Sequence, residues 1–313
     1  MKPGAGQVHS LKLPKIRRAV ILINTKKQEA RDLQDEIIKE LNSLGIETDV
    51  IPVGMETEPF SENGCDIAIC LGGDGTVLSA ARTVSPLGIP VFAVNLGTFG
   101  FIAGVQPHEW RKVFKRCLEG KAFFSRRLML DISVERGGGV VFGACCLNDA
   151  VFSAGGISAI INLQLSCSDK GSKEFIKLGS YHSDGLIVST PTGSTAHSAA
   201  AGGPIVDPEL EAMILNPICP FTLIHRPMVL PAVETIMVEV DEEQRSALML
   251  TIDGQVNEKL ERGDRIYLKK APFYCLLVAS GRKGFYQALK TKLAWAGEED
   301  PQAARFAGSE NHN

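Results

Sequence analysis

The sequence predicts an α/β N-terminal domain built on a parallel sheet, followed by a β-rich, sandwich-like C-terminal domain. Two observations carry that prediction. Between Ala19 and Leu118, short buried-type apolar runs alternate with helical patterns, which is how a parallel sheet covered on both faces reads. From about Ala122 to Leu277 the pattern becomes one of short strands separated by Gly, Asp, Asn and Ser clusters, as in an antiparallel sandwich. The expected division is residues 1–121 for the first domain and 122–281 for the second. A C-terminal helix over 282–296 packs back on the first domain, and a polar, disordered tail covers 297–313.

Composition narrows the function before any motif is considered. A chain of 313 residues can bury a substantial core, and 44% hydrophobic with 22% charged residues is the balance of a soluble globular protein. The net charge of −3 and the lack of a basic run give no support to nucleic-acid or membrane-surface binding. No apolar run is long enough to span a bilayer, and Met1–Arg18 has basic residues without an apolar stretch behind them. Eight cysteines show no CxxC spacing, and Cys145 and Cys146 are adjacent, an awkward geometry for a bridge. Reduced thiols in a cytoplasmic protein are expected. None of the six histidines forms a pair with metal-ligand spacing, so no metal is assigned to protein side chains.

Each element has a local reason. Ala19–Ile23 reads as a buried strand. Ala30, Leu33, Ile37, Leu41 and Leu44 then fall on one face of a helix over Gln28–Leu44, which Gly45 stops. Thr48–Val53 is a second strand, and Asp66–Leu71 a third. After its turn, Val77, Leu78, Ala81 and Val84 recur at helical spacing. Ile89–Val94 is a fourth strand leading into Asn95-Leu96-Gly97-Thr98-Phe99-Gly100-Phe101, with a helix from about His108 to Leu118. In the second domain the expected strands are Leu128–Glu135, Val140–Cys145, Ala150–Ser153, Ile160–Ser166, Gly185–Thr190, Thr235–Val240, Ala247–Thr251, Asp264–Lys269 and Phe273–Ala279. A small-residue helix over Ser194–Ala201 interrupts them, and Phe285–Leu293 is amphipathic.

The chemistry concentrates in the turns. Gly72-Gly73-Asp74-Gly75-Thr76 joins a strand to a helix, at the end of a parallel sheet where ligands bind. Its three glycines let backbone N–H groups face phosphate oxygens, and the helix that follows adds the positive end of its dipole. A carboxylate inside such a turn opposes anion binding unless it has other work, so Asp74 reads as a general base. The bland alternative is a Gly-rich turn with a capping Asp. Asn148-Asp149 follows an apolar strand. A carboxylate there suits ribose hydroxyls and the amide a base edge, although such pairs are often plain turns. In the run Ser183–Pro204, an apolar strand opens into hydroxyls, Pro and Gly, and then into the small residues Thr195-Ala196-His197-Ser198-Ala199-Ala200. That stretch allows a planar ring or a pyrophosphate to approach the backbone; helix capping with close packing is the competing account. Asp253-Gly254-Gln255 by itself is a hairpin turn. A serine-hydrolase elbow, a Walker A loop and a GxGxxG fingerprint do not occur, and Cys145-Cys146 reads as buried, inert thiol.

Taken in order, these four pieces resemble the NAD kinases over roughly Ala19–Leu293. The GGDGT turn alone is shared with diacylglycerol and sphingosine kinases, and the Ser183–Pro204 run separates the two groups. The resemblance implies transfer of the γ-phosphoryl of ATP to the 2′-hydroxyl of the adenosine ribose of NAD, giving NADP, with a divalent cation such as Mg²⁺ and in a homodimer or homotetramer. It implies that Asp74 is the proton acceptor and that Gly72, Gly73 and Thr76 lie near the phosphates of ATP. NAD would be contacted by Asp74, Gly75, Asn148, Asp149, Asp184, Thr195, Ala196, His197, Ser198, Ala199, Ala200 and Gln255. His197 departs from the Tyr common in the family.

Overall fold

The computed structural model describes residues 15–25, 28–53, 65–97, 100–156, 160–168, 172, 174–222, 225–278 and 282–293. The tail expected over 297–313, and Thr98 and Phe99 of the second Gly-rich turn, lie outside them. Strands β1 (Arg18–Ile23), β2 (Glu47–Pro52), β3 (Ile67–Gly72) and β4 (Val91–Asn95) pair in parallel in the order β2-β1-β3-β4. Alternate residues of each strand point to opposite faces. Ile21, Ile69 and Phe92 meet helices α1 (Gln28–Ser43) and α3 (Trp110–Leu118), whereas Val20, Cys70 and Ala93 meet α2 (Asp74–Val84). Ala30, Leu33, Ile37 and Leu41 are the buried stripe of α1. Leu44 is exposed just beyond the helix, and Gly45 takes the left-handed φ of +71° that ends it.

The remaining strands are β5 (Phe124–Arg136), β6 (Gly139–Cys146), β7 (Asp149–Ala154), β8 (Ile161–Ser168), β9 (Ile176–Ser183) and β10 (Gly185–Ser189). After the short helix α4 (His197–Ala200) come β11 (Ala212–Ile218), β12 (Met228–Pro231), β13 (Thr235–Val240), β14 (Leu248–Ile252), β15 (Val256–Leu260) and β16 (Arg265–Val278), then α5 (Arg282–Leu293). The parallel sheet does not end at β4. β16 lies parallel beside it, and the sheet continues antiparallel through β13, β8 and β9, with β5 and β6 on the other side of β16, so the whole is mixed. A second, antiparallel sheet runs β12-β11-β10-β7-β14-β15. Leu130, Ile132, Phe152, Leu163, Val188, Leu250 and Ile266 from the two sheets share one core.

Three expectations change. The strands placed at Asp264–Lys269 and Phe273–Ala279 are one strand, β16, whose pairing with β5 shifts register between Lys270 and Tyr274. A bulge next to Pro272 accommodates the break without a turn. The helix expected over Ser194–Ala201 is a 3₁₀ turn at Gly193–Thr195 followed by the single turn of α4, interrupted where Ala196 leaves the helical region (φ −101°, ψ −129°). Hydroxyls take over backbone acceptors there, as Ser194 Oγ donates to Pro191 O at 2.7 Å. Four strands, β9, β11, β12 and β15, were not expected. In α5, Ala288 and Leu289 are buried, and Lys292 Nζ lies 5.3 Å from the centre of the Phe101 ring. Among the described residues no helix is long and apolar enough to cross a membrane.

Candidate active site

Asp74 opens α2 directly after β3, but it does not cap the helix. Gly73 holds the cap position, and no side chain closes it. The Asp74 carboxylate instead leaves its own helix and accepts N–H donation from Phe101 (3.2 Å) and Ala103 (3.1 Å), just beyond β4. A Cβ on Gly100 would collide with that carboxylate, so glycine is required at this position for the acid to sit there. Gly72 is buried against the Thr76 side chain, Thr76 itself is buried, and Gly75 is exposed.

The second piece lies at the start of β7, where Asp149 pairs with Ser189 at the end of β10. Residues 189–193 therefore fold onto Asn148. Its carbonyl accepts from Thr190 N (2.8 Å) and Ser189 Oγ (3.1 Å), and a Cβ on Gly193 would overlap it. Asn148 Oδ1 and Thr192 Oγ1 are buried and have no hydrogen-bond partner among the described residues. Buried acceptors left open in this way are rare in folded proteins and mark where a ligand or water is received. Asp149 is 4% exposed, and burial, followed by the charge of nearby Asp253, pushes its carboxyl up to about 7.

The Asp253-Gly254-Gln255 turn joins these two pieces through Arg82, a residue that the sequence did not single out. Asp253 Oδ1 accepts from the N–H of Asn148 (2.8 Å) and Asp149 (3.3 Å), and its Oδ2 accepts from Leu147 N–H at 3.2 Å. Arg82, in the last turn of α2, pairs with the same Oδ2 at 2.9 Å and donates to Gln255 Oε1 at 2.5 Å. Gln255 Nε2 closes the chain by donating to Gly75 O at 2.8 Å. The turn is a left-handed pair, Asp253 at φ 49° and Gly254 at φ 66°, which suits a tight hairpin between β14 and β15. Asp-Gly announced the turn, but no local signal announced its partners 171 and 173 residues away.

Not every expected residue is gathered here. Thr195, Ala196, His197, Ser198, Ala199 and Ala200 follow the 189–193 segment, with His197 and Ala200 exposed and Ser198 buried under Gly203 and Asn216. Asp184 sits exposed before β10, at the opposite end of that strand, about 17 Å from Ser189 at the usual strand rise. Cys145 and Cys146 are free thiols. Burial raises both, Cys145 to about 11, which leaves them protonated and poor nucleophiles.

Residues 23–122 match the model of the ATP-NAD kinase N-terminal domain, and residues 147–280 match that of the ATP-NAD kinase C-terminal domain. The NAD kinase of Treponema denticola is 38% identical over 288 residues, covering 92% of this chain and 99% of that one. The chain belongs to the NAD kinase family. The NAD kinase of Citrifermentans bemidjiense is 42% identical over 230 residues, covering 74% of this chain and 78% of its own. Among solved structures, yeast NADH kinase complexed with NADH superposes with a TM-score of 0.80 at 25% identity, over 91% of this chain and 90% of that one. An Archaeoglobus fulgidus NAD kinase in complex with ATP shares the fold at a TM-score of 0.67. The activity of this NAD kinase family member is ATP-dependent phosphorylation of NAD to NADP.

Proposed function

We propose that the phosphoryl transfer runs through Asp74 as general base, with Asn148 and Asp149 holding the adenosine of NAD. The observation that carries this reading is the placement of two carboxylates in unlike surroundings, joined by one network. Asp74 is partly open, on a Gly-rich turn, and aimed by two backbone amides, whereas Asp149 is buried beside an acceptor with no partner. A ribose hydroxyl is a weak acid and a poor nucleophile. A carboxylate within hydrogen-bond reach takes its proton as the attack on the γ-phosphorus proceeds. The rest of the transfer needs alignment and charge neutralisation rather than covalent help. Gly72, Gly73, Gly75 and Thr76 stand next to the helix start, where amides and dipole favour phosphate.

Asp149, when ionised, accepts from ribose hydroxyls, and Asn148 Oδ1 reads an amino group on the base edge. Thr195 to Ala200 and Gln255 complete the dinucleotide contacts. The Gln255 side chain does so while both its ends hold protein groups, so its contribution is chiefly to fix the turn. Among the described residues no group of three or more His, Cys, Asp or Glu could hold a metal. A divalent cation, Mg²⁺ by its chemistry, would therefore be carried by the phosphates of ATP rather than by a cluster of protein side chains. Such a cation supplies neutralisation of phosphate charge when bound. We also place the protein in the cytoplasm and in a homodimer or homotetramer. Asp184, at the far end of β10, reaches a dinucleotide only if a second copy brings it there.

The test is turnover of NAD and ATP by Asp74→Asn beside the unaltered protein, with NAD affinity measured by calorimetry. We expect kcat lower by about 10²–10⁴-fold and NAD affinity nearly unchanged. Near-full activity in Asp74→Asn would remove the base assignment.

A further inference from the structure

We infer that Arg82 is a positioning residue for this reaction: its two-armed contact with Asp253 and Gln255 sets the distance between the turn that carries Asp74 and the turn that carries Asn148 and Asp149. The inference rests on the roles proposed above for those three residues.

Arg82 lies eight residues after Asp74 on α2 and, of the groups assigned to the substrate, touches only Gln255, whose own part is chiefly to fix the turn. Side chains of a helix lean toward its N-terminus, so the guanidinium reaches back along α2. One arm meets Asp253, whose side chain is fully buried and holds three successive amides, of Leu147, Asn148 and Asp149. The other arm meets Gln255, which holds Gly75 O beside Asp74. A planar guanidinium fixes both acceptors from two nitrogens held at a set spacing, whereas an ammonium offers rotatable donors on a single atom and sets no such spacing. Arg82 also neutralises Asp253, the one charge that stands against Asp149 from the β14–β15 turn. Among the described residues the thiol of Cys146 on β6 also faces Asp149, and burial keeps it protonated.

The experiment compares Arg82→Ala and Arg82→Lys by NAD and ATP kinetics and by amide hydrogen exchange in the protein without substrates. For Arg82→Ala we expect kcat/KM for NAD to fall by about 100-fold, with KM and kcat both affected, as a displacement of about 1 Å produces. The amides of Leu147, Asn148 and Asp149 should exchange faster than in the unaltered protein, with those of β7 beyond Asp149 little changed. Arg82→Lys restores the charge beside Asp253 but not the fork. It should bring NAD KM back to within about threefold of the parent while kcat stays about tenfold low.

A folded Arg82→Ala with both constants within threefold would overturn the inference. So would a lowered kcat with unchanged KM and unchanged exchange, or an Arg82→Lys indistinguishable from Arg82→Ala. Failure of both variants to fold would make the residue structural and end the positioning role. If the unaltered protein made no NADP, the functional reading would fail instead, and the exchange measurement would still decide whether the clamp exists.

Discussion

Asp149 and Asp253 are neighbours, both buried and each in the other's field, yet the protein provides for them in opposite ways. Asp253 receives three backbone amides and a guanidinium, so every lone pair that matters is used inside the protein. Asp149 receives no side-chain hydrogen bond from the described residues, and its carboxyl is held up to about 7. Burial alone therefore does not identify a functional acid. The distinction is whether the protein has already satisfied it, since an unsatisfied buried carboxylate costs stability that only a ligand recovers.

The contrast breaks most visibly at Asp253. Asp253→Ala strands Arg82 and frees three amides, and we expect a loss of about 3–5 kcal/mol of stability in urea unfolding. Asp149→Asn should leave stability nearly unchanged below about pH 4 and raise it increasingly toward pH 7 in the same measurement. Its cost falls on NAD, where losing hydrogen bonds to a charged acceptor, about 1.5–3 kcal/mol, weakens binding by roughly 10–100-fold in calorimetry.

The pH dependence sharpens the comparison further. Asp149 in the folded protein holds its proton to about pH 7, whereas in the unfolded chain it loses it near the ordinary value of 3.8. The folded state binds the extra proton between those limits. Its stabilising contribution is thus complete below about pH 4, declines as pH rises and is gone above about pH 7, at up to about 1.4 kcal/mol per pH unit. The difference in stability between the parent and Asp149→Asn should show this slope, and a flat difference would contradict it. The smallest effect is a count of protons. If NAD takes the ionised form, binding near pH 7 releases up to about one proton, read from calorimetry in buffers of different ionisation heat, and Asp149→Asn removes that release.

The legibility of the sequence follows the same division. Strand β3, the Asp74 turn and α2 are readable because apolar spacing, Gly and the helix start agree locally. β9 was missed because Gly179 interrupts a polar edge strand, and β15 (Val-Asn-Glu-Lys-Leu) because polar residues dilute its alternation. β11 contains Asn216 and Pro217, which argue against a strand, yet Asn216 is buried and donates to Ser198 O. Asp74, Asn148 and Asp149, whose roles are proposals, stand out by residue type and place alone. Arg82 resembles an ordinary exposed helix charge, and Gly100 an ordinary turn glycine. Their importance lies in contacts across 171 residues and across 26 residues, respectively, which no local pattern encodes.

The central claim is that Asp74 takes the proton from the sugar that Asp149 holds. A crystal structure of the protein with NAD tests it most directly. An Asp74 carboxylate oxygen is expected about 2.6–3.2 Å from the 2′-hydroxyl of the adenosine ribose, with Asp149 on the same sugar. A complex that leaves Asp74 on the amides of Phe101 and Ala103, with the adenosine ribose bound elsewhere, would contradict it.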